Sequence, residues 1–290
     1  MKIGVVLPQT EIGNDPAAIK AYAEAVEDMG FTHILVFDHV LGANPDRPGG
    51  WKGPYTYRHG FHEPFVLFGF LAAATRRVEL VTGILILPQR QTTLVAKQAA
   101  AVDVLSGGRL RLGVAVGWNP VEFEALGEDF TTRGRRIEEQ IDVMRALWTR
   151  ELVTFAGKHH RITDAGLNPL PVQRPIPVWM GGESEVVQRR MARVADGWMP
   201  HFRPGAPAQA IVDRLHGMVR EAGRDPKVFG IEGRMTLSQI PAAEWGKELE
   251  TWRQMRGISH LCVHTTSLQL AKPADHIETL RRFRTTVGLA

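Results

Sequence analysis

Leu105–Gly127 reads LSGGRLRLGVAVGWNPVEFEALG. Ser106, Gly107 and Gly108 form a turn, Leu110 to Val116 is a mostly apolar run of strand length, and Gly117-Trp118-Asn119-Pro120 breaks it. A strand that ends in such a break and leads into a helix is the repeating unit of an α/β barrel. In that fold, ligand-contacting groups sit on loops at the carboxyl ends of the strands. Gly117, Trp118 and Asn119 therefore fall where chemistry is expected. The plainer reading is an ordinary strand-end turn with Trp118 as packing.

The same alternation continues in both directions. Strand-like runs are expected at Ile3–Leu7, His33–Phe37, Glu79–Ile86, Leu110–Val116, Pro177–Met180, Gly197–Met199, Val228–Met235 and Ser259–Val263. Helical patterns lie between them at Pro16–Met29, Thr93–Leu105, Gly134–Thr149, Ser184–Ala195, Ala206–Ala222, Ala242–Met255 and Ala274–Thr286. Asp15-Pro16 supplies an N-cap and a first-turn proline, and Gly30 ends that helix. This order predicts a parallel sheet with right-handed crossovers, closed as an α/β (β/α)8 TIM barrel with insertions, one domain over residues 1–290. A doubly wound open sheet is the rival. Its first strand should run into a glycine-rich fingerprint, and here it runs into Pro8-Gln9-Thr10.

Two stretches interrupt the pattern. Leu41–Pro64, rich in Gly, Pro, Trp, Tyr and His, is too long for an ordinary connection and reads as a substrate-side loop or a surface excursion. Leu152–Pro177 holds Val153-Thr154-Phe155, a turn at Ala156-Gly157-Lys158 and His160-Arg161-Ile162, a small hairpin before a proline-rich connector.

Lys and Arg number 35 against 31 Asp and Glu, and they are scattered rather than gathered on one element, which argues against a nucleic-acid partner. The net charge of +4 at most favours an anionic small ligand. Cys262, the lone cysteine, lies in the apolar run Ile258–Val263 and reads as a core thiol. No basic segment followed by an apolar one precedes Ile3–Leu7, and no apolar stretch approaches the roughly 20 residues that span a bilayer. A cytoplasmic protein without a membrane partner is expected.

Chemistry-bearing groups cluster at strand ends. Asp38 and His39 leave the second strand side by side, either for proton transfer or as a turn cap and a loop residue. Gly83 interrupts a leucine-rich and β-branched third strand, which marks a bulge or the close approach of a ligand. Gly181-Gly182-Glu183-Ser184 opens a helix where backbone N–H groups can hold a phosphate, or where the turn is simply tight and capped. His-x-x-His occurs once, at His59 and His62, with no third ligand in view, so no metal is expected. GxSxG and P-loop motifs are missing.

Taken in order, Phe37-Asp38-His39, Thr82-Gly83-Ile84, Ser106-Gly107-Gly108-Arg109, Gly113 to Trp118, Glu122 to Gly127 and Pro177–Gly182 resemble the bacterial luciferase-like monooxygenase superfamily. The match is nearest the branch that uses the deazaflavin cofactor F420. It is strong to about Pro200 and weaker beyond. The resemblance implies a (β/α)8 barrel with an insertion and a cofactor ring at its carboxyl end. It also implies a third-strand bulge under the ring, commonly with a cis non-prolyl peptide, at Gly83-Ile84. Gly117 and Trp118 would border the ring, and Gly181, Gly182, Glu183 and Ser184 would cradle the cofactor phosphate. Asp38 and His39 match the Asp-His pair that F420-dependent sugar-phosphate and alcohol dehydrogenases place beside the ring.

One departure matters. The sugar-phosphate enzymes carry a glutamate after the fourth strand's Gly-Thr-Gly, and this chain has Trp118 after Val116-Gly117. An indole cannot serve as proton donor to the ring, so the glucose-6-phosphate reaction is not expected. Trp51, Trp118 and Trp198 are expected instead as walls for a hydrophobic or aromatic substrate. The expected activity is hydride transfer between F420 and a small organic molecule, with His39 as acid/base. The alternatives are an FMN-dependent monooxygenase and a non-catalytic flavin-binding barrel. The resemblance also implies a homodimer.

Overall fold

The computed structural model describes residues 1–268, 270 and 272–289. Its strands are β1 (Lys2–Val6), β2 (His33–Val36), β3 (Glu79–Thr82), β4 (Leu85–Ile86), β5 (Leu110–Ala115), β6 (Val153–Ala156), β7 (Arg161–Ala165), β8 (Val178–Gly181), β9 (Gly197–Met199), β10 (Gly230–Thr236) and β11 (His260–His264). Its helices are α1 (Pro16–Asp28), α2 (Pro64–Ala74), α3 (Thr92–Ser106), α4 (Pro120–Ala125), α5 (Arg133–Thr149), α6 (Glu185–Val194), α7 (Ala206–Glu221), α8 (Trp245–Gln254) and α9 (Pro273–Thr286).

The parallel strands run β3-β2-β1-β11-β10-β9-β8-β5, and β3 pairs with β5 to close the ring. β3 and β4 both lie against β5 and form one stave interrupted at Gly83-Ile84, which leaves eight staves. This is the (β/α)8 barrel that the alternation predicts. β6 and β7 form the expected antiparallel hairpin outside the barrel.

Two helices escape the sequence reading. α2, PFVLFGFLAAA, is apolar on every side and so lacks the amphipathic stripe that marks a surface helix. It starts on Pro64, with Glu63 as N-cap accepting from Val66 N at 2.8 Å. α4 is short, and Asn119 caps it by accepting from Val121 N at 3.0 Å.

Because strand side chains alternate in direction, the barrel interior is built from every second residue. Val6, Leu35, Val81, Trp179, Met199 and Cys262 form one inner cluster, separate from the core under the helices. Cys262 is thus a core thiol, and burial pushes its pKa up. Two residues before several of these, toward the amino ends of the strands, lies a layer of buried charge. His33 Nε2 is 2.8 Å from Glu232 Oε1, and Arg111 Nη1 donates to Glu232 Oε2 at 2.5 Å. The Arg111 guanidinium also lies 4.4 Å from the Trp179 ring. Against the cost of burial, Arg111 and His33 hold the Glu232 carboxyl well below the ordinary range. Arg111 falls within the run read as apolar, and this pairing is how a charge is accommodated there.

Two residues past the inner cluster, at the carboxyl end, the same inner faces present Phe37, Gly181, His201 and His264, and β10 adds Arg234, in register with Cys262.

Candidate active site

Strand ends and the turns after them, together with Tyr55 and Val187 of α6, line a cavity of about 590 Å³ at this mouth. Asp38, His39, Gly83, Ile84, Gly117, Trp118, Gly181, Gly182 and Glu183 all border it. Ser184 does not; it stands one residue farther on, as the exposed N-cap position of α6.

The floor is apolar. The Gly83-Ile84 peptide is cis. A Cβ on Gly181 would come within 3.2 and 3.3 Å of Ile84 side-chain carbons, so only glycine keeps the space above Ile84 open. Gly117 adopts φ +74, and a Cβ there would meet Ile86 Cγ2 at 2.5 Å. The Gly181-Gly182 turn is fixed from behind by Trp198, whose indole N–H donates to Gly182 O at 2.8 Å.

His39 sits at the rim, its ring centroid 4.9 Å from that of Tyr55 and 4.8 Å from that of Phe61. Its Nδ1 lies 3.2 Å from Glu122 Oε1. A carboxylate only accepts, so Nδ1 carries the hydrogen and Nε2 is left to the cavity. Glu122 is 1% exposed and also accepts from Val40 N at 2.8 Å and Gln89 Nε2 at 3.4 Å. Burial opposes its charge, yet these hydrogen bonds, led by that from His39, hold its carboxyl below the ordinary glutamate value.

Asp38 is placed differently. Its Oδ2 accepts from Ile86 N at 3.0 Å and its Oδ1 from Arg90 Nη2 at 2.7 Å. Burial pushes this carboxyl up, against the pull of Arg90. Arg90 reaches on to Glu63 Oε1 at 3.0 Å, tying the end of the Leu41–Pro64 loop to the barrel. That loop is ordered by an Ala43–Thr56 bridge and a Trp51 Nε1 to Tyr55 O hydrogen bond of 2.7 Å.

A family model described as luciferase-like monooxygenase matches residues 1–256, most of the chain. The protein belongs to the luciferase-like monooxygenase family. Members of this family are F420- or flavin-dependent oxidoreductases or monooxygenases. An uncharacterised protein of Mycobacterium tuberculosis is 35% identical over 210 residues, covering 70% of this chain and 71% of its own. The FMNH2-dependent dimethylsulfone monooxygenase of Pseudomonas putida is 33% identical over 171 residues, covering 58% of this chain and 47% of that enzyme. Among solved structures, an F420-dependent secondary alcohol dehydrogenase superposes with a TM-score of 0.76 at 18% identity, covering 99% of this chain and 98% of that one.

In this luciferase-like barrel the three expected tryptophan walls divide. Trp118 lines the cavity. Trp51 packs on Trp118, with ring centroids 5.8 Å apart, and is not itself part of the lining. Trp198 is fully buried in the helix-side core, because it points outward where Met199 points in. Glu122, Arg90 and Arg234 are the residues that sequence reasoning passed over. Glu122 stood inside a motif attributed to the family, with nothing to link it to His39. His59 accepts from Thr56 N at 3.0 Å within its own loop. Among the described residues no helix is long and apolar enough to cross a membrane.

Proposed function

We propose that this protein moves a hydride between coenzyme F420 and a small organic substrate with an apolar or aromatic body. The observation that carries the reading is His39, backed by buried Glu122, at the rim of a cavity with an apolar floor. The residues present fit a ring with a phosphate tail. Ile84 and Ala115 offer it an apolar surface, and Gly181 leaves room above Ile84. Among the described residues, the backbone N–H groups of Glu183 and Ser184 have no protein acceptor, which suits a phosphate at the start of α6.

When bound, a deazaflavin supplies a ring carbon that gives or takes hydride, whereas a reduced flavin supplies reactivity toward oxygen. The chain's own groups do the rest. The floor orients the ring, and Trp118 and Tyr55 keep water from its edge. His39 holds or releases a proton at Nε2, and Glu122, accepting from Nδ1, fixes its tautomer. Asp38, its oxygens engaged by Ile86 and Arg90, acts as a positioning residue that sets the backbone from which His39 projects.

The second reading is an FMN-dependent monooxygenase, favoured by the Pseudomonas putida relative. Titrating the protein with F420 and with FMN, followed by fluorescence and filter retention, separates the two. F420 binding is expected; tight FMN binding without F420 binding would reverse the assignment. We also propose a homodimer, with the exposed Val66 and Phe70 of α2 in its interface.

A further inference from the structure

We propose that the substrate carries an oxyanion, such as a carboxylate, and that Arg234 binds it. The inference rests on the reading of the 590 Å³ cavity as the ring site. Arg234 lines both that cavity and an adjoining one of about 410 Å³, and Phe37, Tyr55 and His201 are likewise shared. In the ring of staves β10 stands diametrically opposite the β3–β4 stave. Arg234 therefore faces Gly83-Ile84 across the mouth, and a substrate lying on the ring fills the space between.

Arg111 and Arg90, the arginines nearest the barrel interior besides Arg234, are each matched by carboxylates. Arg111 pairs with Glu232 and Glu79, and Arg90 with Asp38 and Glu63. Arg234 is not matched. Among the described residues no carboxylate lies within 4.0 Å of it. One N–H donates to His201 Nε2 at 3.0 Å, and the guanidinium lies 5.2 Å from the Phe37 ring centroid. An arginine has five N–H donors in a planar fork that suits an oxyanion, so most of this fork remains for a ligand.

The surroundings do not supply the missing charge. Burial and Arg234 together lower His201 and bring His264 down to about 4, so both rings are neutral at pH 7. Glu183 borders the larger cavity, where it accepts from His201 N at 3.0 Å and makes no ion pair with Arg234. Glu248 borders the smaller one, as does Arg203, which donates to Gln239 Oε1 at 3.1 Å. A partly desolvated guanidinium without a counter-ion is costly, and a ligand oxyanion relieves that cost. Phe37, Tyr55 and Trp118 are placed to take its apolar body.

The oxyanion could instead be the cofactor's phosphate, and the test separates the two sources. Calorimetry on the full chain, with and without FMN, compares benzoate with its neutral counterpart benzamide. Benzoate is expected to bind about tenfold or more tightly in the unmodified protein. Arg234→Met should erase that preference and Arg234→Lys should keep part of it, while the preference for FMN over riboflavin stays the same. Equal binding of benzoate and benzamide would overturn the proposal. So would loss of the FMN preference in Arg234→Met, since that assigns Arg234 to the cofactor phosphate. Failure of both FMN and F420 to bind would strike the cofactor reading alone, because the benzoate comparison is also made without cofactor. Should Arg234→Met not fold, the lysine variant decides.

Discussion

His39 Nδ1 and Glu122 Oε1 meet at 3.2 Å although 83 residues separate them in the chain. The contact joins the end of β2 to the start of α4, and among the described residues it is the one place at the mouth where an imidazole is held by a buried acid. Replacing Glu122 by glutamine keeps the shape and removes the charge. Turnover should fall by about tenfold to a hundredfold with cofactor affinity unchanged, and the pH–rate profile should shift. Glu122→Ala should also cost about 1–3 kcal/mol of stability, because Val40 N–H loses its buried acceptor. An unaltered rate and profile in Glu122→Gln would remove Glu122 from the mechanism.

Asp38 offers the contrasting case. Asp38→Asn leaves Arg90 with Glu63 alone, and breaking a buried pair of this kind costs about 3 kcal/mol. Urea denaturation should register that loss, while turnover per folded molecule falls less than about tenfold. A hundredfold loss in a stable variant would make Asp38 itself the proton carrier.

Gly181→Ala sets a methyl against Ile84 at 3.2 Å. Cofactor affinity, read by fluorescence quenching, is expected to drop by about tenfold with thermal stability near that of the parent. Unchanged affinity would mean that the ring does not lie over Ile84.

Acid should weaken the fold in two stages. His260 is pushed down to about 3 and His264 to about 4, in each case chiefly by burial. Each stays neutral when folded but binds a proton when unfolded, so stability is lost as pH falls from about 6.5. Glu232 and Glu122, whose folded values are depressed, add a further loss below about 4.5. Melting temperature against pH should be level above 7 and fall in both windows, and His264→Asn should shrink the first. A flat profile between pH 5 and 7 would contradict this placement of the histidines.

Phe70→Glu puts a charge on the exposed face of α2 and is expected to turn dimer into monomer in sedimentation. A monomeric parent protein would end that proposal.

The barrel was legible because most staves are apolar runs between turn residues, a pattern local to a few positions. α2 was hidden by the same physics: apolar on all sides, it carries no stripe to read. At the site, glycines and strand ends announced themselves, and Asp38, His39, Gly83 and Gly181 do meet in one hollow. What the sequence withheld were pairings at long separation, Glu122 with His39 and Arg90 with Asp38. The misplacement of Trp198 was avoidable. Alternation turns Met199 inward and Trp198 outward, and the same count puts Arg234 on the inner face with Glu232.

The layer of Glu232, Arg111 and His33 has a consequence for traffic. It stoppers the barrel with charge, and the hollow on the far side, bounded by Trp179 and His260, shares no wall with the upper one. Whatever visits the upper chamber therefore comes and goes at the carboxyl end of the barrel and not through its axis.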